Sequence, residues 1–238
     1  ITTVCDADSW LELRSGFAEG IISGLCRVEG HALGVVANRP DGPLGGAVDS
    51  DGALKAARFM ELCDAFDIPL LFLCDTPGFM VGVEHEQTAA VRKLSRMFAV
   101  GASLSVPCVS IVTRKSYGLG AMAMMGGHAA GKHNTFHLSW PSAEAGPMNL
   151  EGAVALGFAK ELGKAHEKGG AAAQQALYEK LLAGGYERGS ALSVARTLET
   201  DDVIDPSESR RWIAAALETT APPAQRPWRR KRPCVSPW

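Results

Sequence analysis

Two short glycine-bearing segments hold the residue types best suited to chemistry: Ser116-Tyr117-Gly118-Leu119-Gly120-Ala121 and Asp75-Thr76-Pro77-Gly78-Phe79. Small residues that lead into a helix leave backbone N–H groups unpaired beside the positive end of the helix dipole. Such donors form an oxyanion hole, which must hold negative charge as it develops on an enolate or ureido oxygen. In the second segment Gly78 lets backbone approach a ligand closely and Pro77 stiffens the turn. A tight turn with no ligand accounts for the same residues. The glycine spacing after Tyr117 is not a dinucleotide-binding GxGxxG pattern.

Other constellations carry less. No GxSxG, Walker or HExxH motif occurs. His128, His133 and His137 are loosely spaced and lack a nearby carboxylate or thiol pair, so no metal site is expected. His137, between Phe136 and Leu138, reads as a strand histidine. Glu84-His85-Glu86 reads as an exposed polar loop. Glu144, in Trp140-Pro141-Ser142-Ala143-Glu144, stands beside a third site loop, where a carboxylate either orients the loop or moves a proton.

The elements that must position these segments alternate. Residues 33–37 form a β-branched strand closed by Asn38-Arg39-Pro40, and a glycine-rich stretch follows. A helix starts near Asp49 or Ser50, with Ala53, Ala57, Met60 and Cys63 at helical spacing. Residues 70–74 are a wholly apolar strand of the kind buried on both faces, 108–113 is a second buried strand, and 88–100 has helical character. Strand, helix, strand, helix implies right-handed crossovers and a largely parallel sheet. Ligands bind beyond the carboxyl ends of such strands, where both glycine segments fall. Further helices are expected at 150–162, 171–182 and 207–217. After Thr219 comes a proline-rich tail with Arg226, Arg229, Arg230, Lys231 and Arg232, expected to be solvated and disordered.

Bulk properties fit one sizeable core or two small ones: 238 residues, 46% hydrophobic and 21% charged. The formal net charge of −2 creates no field toward nucleic acid or membranes. No apolar run approaches the roughly 18 to 20 residues of a membrane span. The first ten residues lack the basic and apolar regions of a signal peptide, and the start at Ile1 points to a piece of something longer. The six cysteines form no CxxC pair and mostly sit in apolar stretches, as reduced, intracellular thiols do.

An ordered series of motifs resembles a known family. Gly24-Leu25-Cys26-Arg27-Val28-Glu29-Gly30, Gly34-Val35-Val36-Ala37-Asn38-Arg39-Pro40 and Lys55-Ala56-Ala57-Arg58-Phe59 are followed by Asp75-Thr76-Pro77-Gly78-Phe79. Thr113-Arg114-Lys115-Ser116-Tyr117-Gly118, Trp140-Pro141-Ser142-Ala143-Glu144 and Asp202-Val203-Ile204-Asp205-Pro206 come next. From about Gly16 to Leu217 the chain resembles the β-type carboxyltransferase subunits of biotin-dependent acyl-CoA carboxylases, the propionyl-CoA and methylcrotonyl-CoA carboxylase family.

The resemblance implies an α/β, crotonase-like ββα superhelix, largely a parallel sheet with helices outside. Residues 1–219 would be the C-terminal crotonase-like domain of such a subunit and 220–238 its basic tail. That half would receive carboxybiotin from a carrier domain, and the enolate of an acyl-CoA would take up the released CO2. Gly120 and Ala121 match the backbone oxyanion donors. Gly78, Phe79, Tyr117 and Gly118 match the biotin-binding loops, and Met122 and Ala123 the acyl pocket. Propionyl-type members carry Tyr-Gly-Gly-Ala-Tyr-Asp at this loop. Ala123 in place of the Asp would make the pocket less polar.

The implied cofactors are biotin, as carboxybiotin, and acyl-CoA, without a metal. The implied partners are an N-terminal carboxyltransferase half, a biotin carboxyl carrier and a biotin carboxylase, in a hexamer-type assembly. The expected compartment is the cytoplasm, with the mitochondrial matrix as the alternative. A stand-alone crotonase-type hydratase or isomerase would normally use a pair of glutamates, and no convincing pair is found. A non-catalytic scaffold half would have no need for the donor-rich loop at residues 118–121.

Overall fold

The centre of the molecule is a sheet built from the most apolar runs of the sequence. In the computed structural model, which describes residues 1–126 and 134–220 together with Arg232, Val235 and Ser236, these runs lie side by side. β3 (His31–Asn38), β4 (Leu70–Thr76), β5 (Cys108–Tyr117) and β6 (Asn134–Ser139) are parallel neighbours. β1 (Leu11–Glu12) and β2 (Ile21–Val28) add antiparallel pairs at one edge, and β8 (Asp202–Val203) pairs parallel with β6 at the other. A short β7 (Glu144–Gly146) pairs parallel with the end of β5.

Alternation along the strands sends side chains to two faces, and both are covered. Leu70, Phe72 and Cys74 of β4, with Cys108 and Val112 of β5, pack with the helices α1 (Ser50–Ala65) and α3 (Ala90–Ser103). Leu71, Val109 and Ile111 face the other way, against Ile213 and Ala216 of α8 (Ser209–Thr219). Double coverage is why these strands read as continuous apolar runs in the sequence. The remaining helices are α2 (Val83–Glu86), α4 (Gly118–Met124), α5 (Leu150–Gly157), α6 (Ala159–Gly189) and α7 (Ala191–Arg196). Among the described residues no helix is long and apolar enough to cross a membrane.

α1 shows why its sequence takes this form. The Asp49 side chain caps it by accepting from Gly52 N at 2.7 Å. Small residues let the helix lie close over the sheet; a Cβ at Gly34 would sit 2.5 Å from Cys63 Sγ. Lys55 is buried, and its Nζ donates to the carbonyls of Phe17 at 2.8 Å and Ile21 at 2.7 Å. The lysine thereby holds the turn that precedes β2, in which Arg14 and Ala18 have positive φ.

Several sequence-based boundaries move. β5 runs past Thr113 to Tyr117, because its end finds a partner in β7. The helix expected over 150–162 breaks at Phe158, which leaves helical geometry (φ −114°, ψ 22°) between α5 and α6. α6 in turn kinks at Gly169–Gly170, where Gly170 has φ +69°. The tail expected to be solvated lies mostly outside the described residues. Its described members Arg232 and Ser236 are instead hydrogen-bonded to α1, because that helix presents buried acceptors.

The thiols give the first prediction. Cys5, Cys26, Cys63, Cys74 and Cys108 are free and buried, and burial pushes the Cys74 and Cys108 thiols up to about 12. The thiolate is the reactive form, so these groups should stay inert well above neutral pH. In a Cys234→Ser variant, a water-soluble thiol reagent should leave the native protein unmodified at pH 9 and label it fully in denaturant. Prompt labelling of the native protein would contradict the closed core.

Candidate active site

The turn from β5 into α4 is sharp and needs glycine. Gly118 has φ +58°, a left-handed conformation, and a Cβ there would lie 2.9 Å from the Pro147 carbonyl oxygen. In α4 the N–H groups of Gly118, Leu119 and Gly120 come before the first i→i−4 acceptor. The same rule makes Ala121 the first residue with an acceptor inside the helix, the Tyr117 carbonyl. Of the expected donor pair, Gly120 therefore belongs to the orphan set and Ala121 follows it.

Tyr117 anchors the turn from below. Its side chain is buried, and burial followed by a hydrogen bond to Glu144 pushes the phenol well above its ordinary range. Glu144 sits on β7, opposite Lys115 in the register.

The second loop is fixed by a chain of buried polar contacts. Asn38 donates from Nδ2 to the Gly46 carbonyl at 3.0 Å, and its Oδ1 accepts from Asp75 N at 3.1 Å. The Asp75 carboxylate accepts from Arg114 Nε at 3.1 Å and from Lys115 N at 3.2 Å, which ties the ends of β4 and β5 together. Beyond it, Gly78 (φ +124°) donates to Thr76 Oγ1 at 3.1 Å, and its carbonyl accepts from Val48 N at 3.0 Å. Phe79 packs edge-on against Phe98 of α3, with ring centroids 6.1 Å apart.

The two loops meet at Gly120. A Cβ there would fall 2.5 Å from the Gly78 carbonyl carbon and 2.6 Å from Phe79 N, so backbone lies directly on backbone. On the other side of α4 an apolar cleft of about 760 Å³ opens. Gly118, Leu119, Ala121 and Met122 line it from α4, facing Pro147, Leu150, Phe158 and Val194.

The expected site residues thus divide between two faces of one short helix. Gly118, Ala121 and Met122 line the cleft, while Gly78 and Phe79 contact α4 on its opposite side at Gly120. Ala123, expected in the acyl pocket, does not line the cleft. Helical periodicity turns it with Met124 into the α1–α3 core, where it is fully buried. Arg188 and Glu199 also line the cleft, and sequence reasoning missed them. They arrive from α6 and the stretch after α7, far along the chain, and no local motif marks them. His128 and His133 lie outside the described residues. Glu84 and Glu86 are exposed on α2, away from the cleft.

Comparison with solved proteins assigns this arrangement to the crotonase-like carboxyltransferase class. The chain belongs to the carboxyl transferase domain family, whose pattern matches residues 1–234. It is 37% identical to the propionyl-CoA carboxylase beta chain of Saccharopolyspora erythraea, over 93% of this chain and 40% of that protein. A single-chain, multi-domain long-chain acyl-CoA carboxylase is 47% identical with a TM-score of 0.77, over 89% of this chain and 20% of that one. The hexameric transcarboxylase 12S, solved with methylmalonyl-CoA and methylmalonic acid bound, gives 33% identity and a TM-score of 0.80, over 93% of this chain and 42% of that one. The chain spans about two fifths of the length of the curated relatives it matches.

Proposed function

We propose that this chain is the C-terminal, carboxybiotin-receiving half of a biotin-dependent acyl-CoA carboxyltransferase, and that an N-terminal half completes its active site. The observation that carries the reading is the first turn of α4, whose unpaired N–H groups stand at the carboxyl end of β5 beside an apolar cleft. The residues present fit a biotin ureido ring. Its carbonyl oxygen needs N–H donors, and its otherwise apolar bicycle suits a surface such as Leu119, Met122 and Pro147.

The chemistry that carboxybiotin supplies when bound is a carboxyl group released as CO2 and a ureido nitrogen that accepts a proton. The part left to this chain is electrostatic. N–H groups of residues 118–120, with Ala121 next in line, hold an oxygen as it gains negative charge, each worth about 2.7–4 kcal/mol in the transition state. The Gly78–Phe79 loop and the Tyr117–Glu144 pair fix the donors in place before reaction. The apolar lining of the cleft favours an acyl group with a long or branched hydrocarbon chain. The partners in this reading are a biotin carboxyl carrier and a biotin carboxylase, in a hexamer-type assembly in the cytoplasm.

The test is the reverse reaction, carboxyl transfer from an α-carboxyacyl-CoA to free biotin. It is run on this chain alone and with the N-terminal half supplied. Transfer only in the mixture, faster with a long-chain donor than with malonyl- or methylmalonyl-CoA, is the expected result. A folded complex that transfers nothing would overturn the catalytic reading and leave a scaffold. Preference for the short donors would overturn only the chain-length assignment.

A further inference from the structure

We propose that the outer side of α1 carries a guanidinium seat, built from Glu61 and Asp64, which Arg232 of the same chain occupies with Ser236 beside it. Both carboxylates are almost wholly buried, Glu61 at 3% and Asp64 at 1% exposure. Burying a carboxylate is costly unless it is paired and hydrogen-bonded. Asp64 spends one oxygen within the fold: Oδ1 accepts from Ser105 N at 2.7 Å and Ser105 Oγ at 2.9 Å. Its other oxygen, Oδ2, accepts from Arg232 Nε at 2.9 Å.

The other contacts of Arg232, and those of Ser236, fall on the same surface. Arg232 Nη2 donates to Ser103 Oγ at 2.8 Å, and Nη1 lies 3.6 Å from Glu61 Oε1. Ser236 donates twice to Glu61, from its N to Oε2 and from its Oγ to Oε1, each at 3.0 Å. Arg58 of α1 donates back to the Ser236 carbonyl. Arg232 and Ser236 thus both touch α1, and Arg232 also the last residue of α3. The planar fork of an arginine can reach acceptors in several directions at once, which a lysine ammonium does less well.

The same two helices bear on the glycine loop: α1 starts just after Val48, which bridges to Phe79, and Phe98 of α3 packs on the Phe79 ring. This inference stands on its own contacts and does not depend on the carboxyl-transfer reading.

Hydrogen exchange read by mass spectrometry on the full chain tests it. Arg232→Ala should speed exchange in peptides covering residues 57–65 by on the order of tenfold, as the loss of a charge-assisted hydrogen bond implies. Arg232→Lys should recover part of the protection. In a variant lacking residues 230–238, a synthetic peptide of residues 226–238 should restore it, and the same peptide with Arg232→Ala should not. Unchanged exchange in Arg232→Ala would overturn the proposal. Equal restoration by a scrambled peptide of the same charge would overturn it too, by showing nonspecific attraction of a basic tail.

Discussion

Replacing Gly120 with alanine is expected to reduce carboxyl transfer by on the order of 100-fold while the chain stays folded. The added Cβ would fall 2.5–2.7 Å from Gly78 and Phe79 backbone atoms, and backbone cannot swing aside as a side-chain tip can. The two loops must separate by a large fraction of an ångström. Overpacking of this kind costs about 1–3 kcal/mol, and domains usually have about 5–15 kcal/mol in hand. Geometry therefore fails before stability does, and misplacement of about 1 Å is enough for the expected loss of rate. The check is transfer activity of the reconstituted enzyme, with circular dichroism and a melting curve on the same sample. Leu119→Ala, at an exposed position on the same turn, should leave folding untouched. Full activity in Gly120→Ala would mean that the contact between the loops does not position the donors.

The second large effect is on stability. Lys55→Met keeps most of the side-chain volume but removes the donor to the carbonyls of Phe17 and Ile21. Each acceptor left without a partner costs about 1–3 kcal/mol, so the sum is about 2–6 kcal/mol. For a chain of this size the melting temperature should drop by roughly 4–24 °C. The turn before β2 loosens first, since Arg14 and Ala18 hold unfavourable positive φ only while it is pinned.

The same residue gives a pH signature. Burial lowers the Lys55 pKa below its ordinary 10.5, so the folded chain holds that proton more weakly than the unfolded chain. In the window just below 10.5 the unfolded state binds more protons, and stability gains a rising component with pH. Denaturant melts across that window should show the component in the parent and lose it in Lys55→Met. An identical slope in both would mean that Lys55 is not desolvated.

The sequence made the parallel centre of the sheet legible because burial on both faces writes itself as an unbroken apolar run at 70–74 and a largely apolar one at 108–113. The start of α1 was equally plain, since Asp49 is a capping residue followed by small residues at helical spacing. β2 was not read as a strand: its Ser23, Gly24 and Arg27 interrupt the apolar pattern, and the antiparallel pairing with β3 makes it a strand. β7 has only Glu144, Ala145 and Gly146, and exists because β5 runs on far enough to pair with it. At the site, both glycine loops were found from residue type alone. Their contact at Gly120 was not, because it joins positions about forty apart in the chain. The position of Ala123 off the cleft was not legible for a related reason. One residue along a helix is a rotation of about 100°, and the motif fixes neighbours in sequence rather than the face they present.

A centre made of main-chain donors leaves an unusual record under mutation. Every residue except proline carries an N–H, so alanine scanning strips nothing chemical from positions 118–120. A saturation library would register size limits there: intolerance of any branch at Gly120, of a left-handed misfit at Gly118, and, at Leu119 on the cleft, freedom for folding but not for ligand contact. Substitution at those positions redraws the shape of the donor set, whereas an amide-to-ester exchange, which deletes a single N–H and keeps every side chain, edits its chemistry.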